Sequence, residues 1–254
     1  MKSLIRAFLL VTAGTMPLAA ADKTASKDMM LFLLIGQSNM AGRGPVGPED
    51  KVPHPRVFVQ TKELTWAPAV DPLHYDKPAI AGVGLGSTFG RVIADEHPGA
   101  VVGLIPAAFG GTSLDEWKAG GKLYSDAIAR AKEAMKSGRL AGILWHQGEN
   151  DATDHTAGTY ADRFAVMIAQ LRKDLGAAEV PVVVGELGHF FAHGDEINAV
   201  LPEVARRVPH CALVSSEGLT DKGDRTHFNT PSYHELGRRY ARAWDELAKG
   251  RRRD

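Results

Sequence analysis

The 254-residue sequence predicts an α/β fold, with a parallel sheet covered on both faces by helices, and three observations carry the prediction. Short, almost wholly apolar runs, of the kind buried on both faces of a sheet, alternate with longer segments of helical apolar spacing. The alternation continues along the chain with no repeat, low-complexity linker or domain boundary, as a single strand-helix-strand architecture requires. Polar clusters stand directly after several apolar runs, at the strand ends where open α/β sheets bind ligands.

Before the first strand, Lys2 and Arg6 precede the apolar stretch 7–13, and Leu18-Ala19-Ala20-Ala21 supplies the small residues of a cleavage site. This three-part pattern predicts a signal peptide over residues 1–21, a secreted or periplasmic location, and one domain over 22–254. Thr12, Gly14, Thr15 and Pro17 interrupt the apolar stretch, which is too short to span a bilayer, so no membrane attachment is expected after cleavage. Basic and acidic residues balance at 30 each, and loss of Lys2 and Arg6 leaves the chain slightly negative. That balance offers no basic surface for nucleic acid or anionic lipid. Arg251-Arg252-Arg253 reads as a solvated tail, and the single cysteine, Cys211, suits a buried strand thiol without a disulfide partner. No pattern bears on oligomeric state.

Residues 31–35 form the first strand, closed by Gly36, and the glycines and prolines at 42, 44, 45, 47 and 48 limit the segment after Ser38 to a short helical turn. Residues 56–59 read as a short strand. The segment 65–75 has neither period and carries Trp66, His74 and Tyr75, which suit either a packed surface loop or one facing a substrate. Helical spacing runs from Leu85 through Ile93 and stops at His97-Pro98. A second buried strand at 101–105 leads into Phe109-Gly110-Gly111-Thr112-Ser113, where paired glycines let backbone N–H groups turn outward. Helices at 123–136, 160–175, 196–208 and 232–248 and strands at 141–145, 180–184 and 210–214 complete the alternation, the last helix opening with Ser232 and Glu235 at capping-box spacing.

The chemistry depends on which polar clusters share a sheet edge. Gln37-Ser38-Asn39, Gly110 to Ser113 and His146-Gln147-Gly148-Glu149 all come directly after predicted strands, and residues 221–229 lie between the last strand and the last helix. A serine after a strand is commonly a turn or cap residue, and becomes a nucleophile only with a base, an orienting acid and oxyanion donors. Asp224 and His227 have the spacing that lets one carboxylate reach Nδ1 of the imidazole and leaves Nε2 to face outward, a pairing that alone would be a local cap. The N–H groups of Ser38 and Gly111 and the side-chain amide of Gln147 are the candidate oxyanion donors. His189 and His193 have zinc-ligand spacing, with Asp195 and Glu196 just beyond, but Phe190-Phe191-Ala192 lacks the glutamate of a metalloprotease helix. No metal or other cofactor is expected, and His146 reads as a hydrogen-bonded histidine at a strand end rather than a ligand.

Gly36-Gln37-Ser38-Asn39-Met40, Phe109 through Trp117, Trp145-His146-Gln147-Gly148-Glu149 and Asp224-Arg225-Thr226-His227-Phe228 resemble the signature blocks of SGNH-type hydrolases. Within these the chain is similar to the sialate O-acetylesterase and carbohydrate esterase family 6 group, which includes acetylxylan esterases, over residues 31 to about 240. The resemblance implies a flavodoxin-like, three-layer α/β/α sandwich and removal of acetyl groups from an acetylated carbohydrate through an acetyl-enzyme. It makes Ser38 the nucleophile, His227 the base, and Gly111 and Gln147 oxyanion partners. Gln147 stands where the broader superfamily has Asn. Asp224 matches the superfamily acid, while Glu149 can also serve the histidine in the Gln-Gly-Glu subgroup, so both remain open. Gln37 and Asn39 flank the nucleophile as candidate substrate contacts. A reading of another class is a non-catalytic carbohydrate binder with Trp66 and Trp117 as stacking platforms, against which stands the intact set of Ser38, Asp224, His227 and Gln147.

Overall fold

An uninterrupted apolar run such as 31–35 is stable in water only between two covering layers, and in the computed structural model the strand that contains it, β1 (Met29–Gly36), is the centre of the sheet. The structure describes residues 28–152 and 154–250. The predicted signal peptide and the Arg251 to Arg253 tail therefore lie outside the described residues.

β1 is joined by β2 (Val57–Gln60), β3 (Trp66–Pro68), β4 (Val102–Pro106), β5 (Gly138–His146), β6 (Val182–Gly185) and β7 (Cys211–Val214) in the order β3-β2-β4-β1-β5-β6-β7. Every pairing is parallel except that of β3 with β2. This three-residue antiparallel edge strand falls inside the segment without period, because three residues are too few to show alternation. Cys211 sits half-buried on β7, where burial pushes its thiol up to about 12.

The helices are α1 (Ser38–Ala41), α2 (Leu85–Glu96), α3 (Lys122–Ala134), α4 (Asp154–Ala157), α5 (Tyr160–Asp174), α6 (Gly194–Asn198), α7 (Leu201–Arg207) and α8 (Thr230–Gly250). Alternation along β1 divides the core between two faces. Leu31, Leu33 and Ile35 pack with Ala127 and Ala131 of α3 and Phe164 and Ile168 of α5, whereas Phe32 and Leu34 pack with Phe89 and Ile93 of α2 and Tyr240 and Trp244 of α8. Phe32 meets Phe89 and Trp244 edge-on, with centroids 4.8 and 5.1 Å apart, and the Trp244 indole donates to the Ala141 carbonyl at 2.8 Å. The predicted three layers are thus observed.

Two expectations are corrected. The helix predicted over 196–208 is broken into α6 and α7, because Pro202 enters at the first turn of α7 and cannot continue a preceding helix. The predicted capping box at Ser232 and Glu235 does not form. Asn229 caps α8 through its side-chain oxygen to the Ser232 N–H at 2.9 Å, the Ser232 hydroxyl accepts from the Thr220 N–H, and Glu235 pairs with Arg238 and Arg239.

Candidate active site

The chain leaves β1 for β2 on one side of the sheet, and only from β4 does it cross over β1 to β5 on the other, so a crevice opens at the carboxyl end of β1. Gly36 closes that strand at φ +130, and a Cβ there would stand 2.2 Å from the His146 carbonyl oxygen. Only glycine lets β1 and β5 converge so closely, and the Gln37 N–H then donates to the same carbonyl at 2.9 Å. Ser38 begins α1 immediately beyond, 6% exposed.

The loop between β7 and α8 carries the histidine to it. The Asp221 carboxylate ties down the N–H groups of Gly223 and Arg225 at 2.9 and 2.6 Å, and the Lys222 N–H donates to the His227 carbonyl at 3.0 Å. His227 Nε2 lies 3.0 Å from the Ser38 hydroxyl, and its Nδ1 lies 2.7 Å from Asp224 Oδ2. Asp224 Oδ1 accepts from the backbone N–H groups of Thr226 and His227 at 3.0 and 2.8 Å. Burial opposes its charge, but the backbone N–H of His227, the imidazole itself and the Thr226 N–H hold its carboxyl well below the usual carboxylate range. Asp224 is thereby kept ionised against the imidazole.

Glu149, the other candidate acid, does not reach His227. Its carboxylate takes a short hydrogen bond from Asn39 Nδ2, and burial pushes its carboxyl up. The same Asn39 amide donates to the Thr226 carbonyl at 2.9 Å, while Asn39 Oδ1 accepts from the Phe228 N–H at 3.3 Å and the Tyr233 hydroxyl at 2.8 Å. Asn39 thus ties the Ser38 turn to the loop that carries His227. Every polar atom of its side chain is committed to the chain around His227 or to Glu149.

Gly111 has φ +81, and among the described residues no acceptor takes its N–H or that of Ser38. The Gln147 amide is already committed to other partners. It is fully buried, its Nε2 donates to the Thr112 carbonyl at 3.0 Å and Asp151 Oδ2 at 2.7 Å, and its Oε1 stands 2.9 Å from the Tyr160 hydroxyl. With both N–H groups spent, the amide has none to offer an oxyanion.

A cavity of about 320 Å³ opens over Ser38 and His227, with Gln37, Gly111, Glu149 and Asn150 among its lining residues. Gln37 lines this cavity beside Ser38. The tryptophans do not: Trp117 is fully buried, edge-on to Trp145 and bonded to Thr112 Oγ1 at 3.1 Å. Trp66 donates to Ser137 Oγ at 3.1 Å, next to the start of β5 and at the opposite end of the sheet from Ser38. Both indoles are structural, which removes the platforms of the carbohydrate-binder reading. His189 and His193 make separate surface pairs, His189 with Glu186 at 3.6 Å and His193 with Glu196 at 3.3 Å. His146 bonds the Tyr240 hydroxyl at 3.1 Å, and burial pushes its imidazole down to about 3.

A family model described as carbohydrate esterase, sialic acid-specific acetylesterase, matches residues 28–246. The chain belongs to this family. A probable carbohydrate esterase of Arabidopsis thaliana is 31% identical over 234 residues, which cover 84% of this chain and 89% of the relative. The crystal structure of that Arabidopsis protein superposes with a TM-score of 0.80 at 30% identity, covering 86% of this chain and 98% of that one. NanS, with a TM-score of 0.73 and 16% identity, covers 89% of this chain and 99% of its own. A carbohydrate acetylesterase from Xanthomonas citri, with a TM-score of 0.64 and 20% identity, covers 88% of this chain and 57% of its own. At those identities the last two share the fold.

The esterase also builds its site from residues that spacing did not single out. The Arg43 and Asp76 side chains, each 1% exposed, pair at 2.6 Å, and Asp76 Oδ2 accepts the Gly110 N–H at 2.8 Å, which fixes the turn just before Gly111. Burial raises the Asp76 carboxyl, but the Arg43 guanidinium and the Gly110 N–H outweigh it and hold the group below its ordinary range. Asn150 comes directly after the Gln147 block. Its Nδ2 donates to the Gly111 carbonyl at 3.2 Å and its Oδ1 accepts from Gln37 at 3.4 Å, so one side chain of the esterase joins three of the four polar clusters.

Proposed function

We propose that this esterase is a serine hydrolase that removes O-acetyl groups from carbohydrate through an acetyl-enzyme, and that it acts after export. The observation that carries the reading is the line from Asp224 Oδ2 to His227 to Ser38, at 2.7 and 3.0 Å. His227 Nε2 takes the Ser38 proton as Oγ attacks the acetyl carbonyl carbon, and Asp224 stabilises the imidazolium that forms. The Ser38 and Gly111 N–H groups receive the oxyanion, with the Asn150 amide as the third donor in place of Gln147. Collapse of the tetrahedral intermediate expels the sugar oxygen, which takes the proton from His227. Water, deprotonated by the same imidazole, then attacks the acetyl carbon and releases acetate and free Ser38.

Export rests on the charged, apolar and small-residue pattern of residues 1–21. The catalytic reading is tested by labelling with a fluorophosphonate and mapping the modified peptide. Modification is expected at Ser38 and is expected to vanish in Ser38→Ala along with acetate release. Labelling elsewhere, or an active Ser38→Ala protein, would overturn the serine mechanism.

A further inference from the structure

We propose that a second cavity, separated from the one over Ser38 by Phe109, binds the neighbouring unit of a saccharide chain whose acetylated unit lies at Ser38. This rests on the esterase reading and specifies its substrate as an oligomer rather than a single acetylated sugar. The cavity has a volume of about 410 Å³, and Leu64, Tyr75, Phe109 and Arg130 are among its lining residues. The two cavities share a thin wall: of the consecutive residues Asp76 and Lys77, and again of Phe109 and Gly110, the first lines this cavity and the second lines the one over Ser38. Lys77 Nζ stands 5.9 Å from the centre of the Phe109 ring, so the two side chains meet at this wall.

Apolar surface is gathered here. Among the described residues the exposed large apolar side chains are Val52, Leu64, Ile80, Phe109 and Val166; two of them line this cavity and Ile80 lines the other. Sugar rings offer apolar C–H faces to such side chains and hydroxyls to polar groups around them. Lys62, Asp126 and Arg130 supply polar groups of both signs, which suits hydroxyls better than a single anion.

Leu64 strengthens the assignment, since it holds φ +63 while 40% exposed at the tip of the β2–β3 hairpin. The turn closes through the Thr61 N–H to the Thr65 carbonyl and the Leu64 N–H to the Thr61 carbonyl, bonds that Asn or Gly would make with less strain. A leucine at a strained position on a cavity wall, 40% exposed, offers a ligand an apolar contact. The wall around Leu64 is held in advance. Arg130 donates to the Gln60 and Thr61 carbonyls and to the Tyr75 hydroxyl and lies 5.1 Å from the Tyr75 ring centre.

The test compares KM for matched acetylated monosaccharides and tetrasaccharides of xylose, mannose and galacturonate. In at least one pair the tetrasaccharide KM is expected to be about tenfold lower, as one added apolar contact gives. Leu64→Asn is expected to bring that ratio towards one while raising the Tm. Equal KM values in every pair, or a ratio that survives Leu64→Asn, would overturn the proposal. The same pairs titrated calorimetrically against Ser38→Ala decide the binding question independently, so a chain that releases no acetate refutes the esterase reading alone.

Discussion

Asn39 grips the chain on both sides of His227, accepting the Phe228 N–H through Oδ1 and donating to the Thr226 carbonyl through Nδ2. The residue beside Ser38 thus sets the position of His227, and Glu149 in turn holds the Asn39 amide. Each of these bonds crosses at least 110 positions in sequence, so together they lock the ends of β1 and β5 to the loop before α8.

The two acidic residues should separate in kinetics. Asp224→Asn leaves the ring contact but stabilises the wrong tautomer, and is expected to cut kcat about ten-thousand-fold, as in serine proteases, with little change in Tm. Glu149→Gln should lower both kcat and Tm, and Asn39→Ala should cost about 3 kcal/mol in urea unfolding because it strands the Tyr233 hydroxyl and the Phe228 N–H. An Asp224→Asn protein with full activity would reverse the assignment.

Gln147 and Asn150 should exchange the roles that their positions suggest. Asn150→Ala is expected to lower kcat by about a hundredfold, the loss of one oxyanion donor, with KM nearly constant. Gln147→Met should instead show up in stability, since it deprives Asp151 and the Thr112 carbonyl of a buried donor. Chemical denaturation alongside aryl acetate kinetics measures both.

Removing Asp76 tests the support of the Gly110-Gly111 turn. Asp76→Ala leaves Arg43 buried and unpaired, at a cost of about 3 to 5 kcal/mol. Asp76→Asn, which can still accept the Gly110 N–H, should retain more activity than the alanine variant at a temperature where both are folded.

Stability should carry a pH signature from Asp71, whose carboxyl burial pushes up to about 7 despite a hydrogen bond from Ser87. The folded chain binds this proton more tightly than the unfolded chain does. Its contribution is therefore whole below pH 3.8, the ordinary value, and fades as pH rises through about 7. Relative to Asp71→Asn, the wild type should lose Tm between pH 5 and pH 8, by up to about 3 kcal/mol in stability terms. Parallel Tm profiles for the two proteins would contradict this.

What the sequence disclosed was local. Ser38 stands after an apolar run that can only be a buried strand, and Asp224 and His227 sit three positions apart in one loop, so neighbours in the chain reveal their partnership. Gln147 and Asn150 could not be told apart in this way, because Asp151, Tyr160 and Thr112 decide which amide faces the cavity. Arg43 and Asp76 meet across 33 positions with no periodicity to announce them. Trp66 and Trp117 were ambiguous because an indole meets the same requirements in a core as in a sugar cleft. The layers were legible from the apolar runs, whereas β3 was too short, and the break before α7 depended on the geometry of one proline.

Ser38 lies at the end of the first described strand, and His227 reaches it from 189 positions away, just before a helix that packs on α2. Until α8 docks, Ser38 is an ordinary alcohol with no base beside it. On the proposed mechanism, a chain still emerging or partly unfolded is therefore chemically silent towards esters. Substrate turnover during refolding would then report the moment at which the tertiary structure is complete, rather than the formation of any one helix or strand.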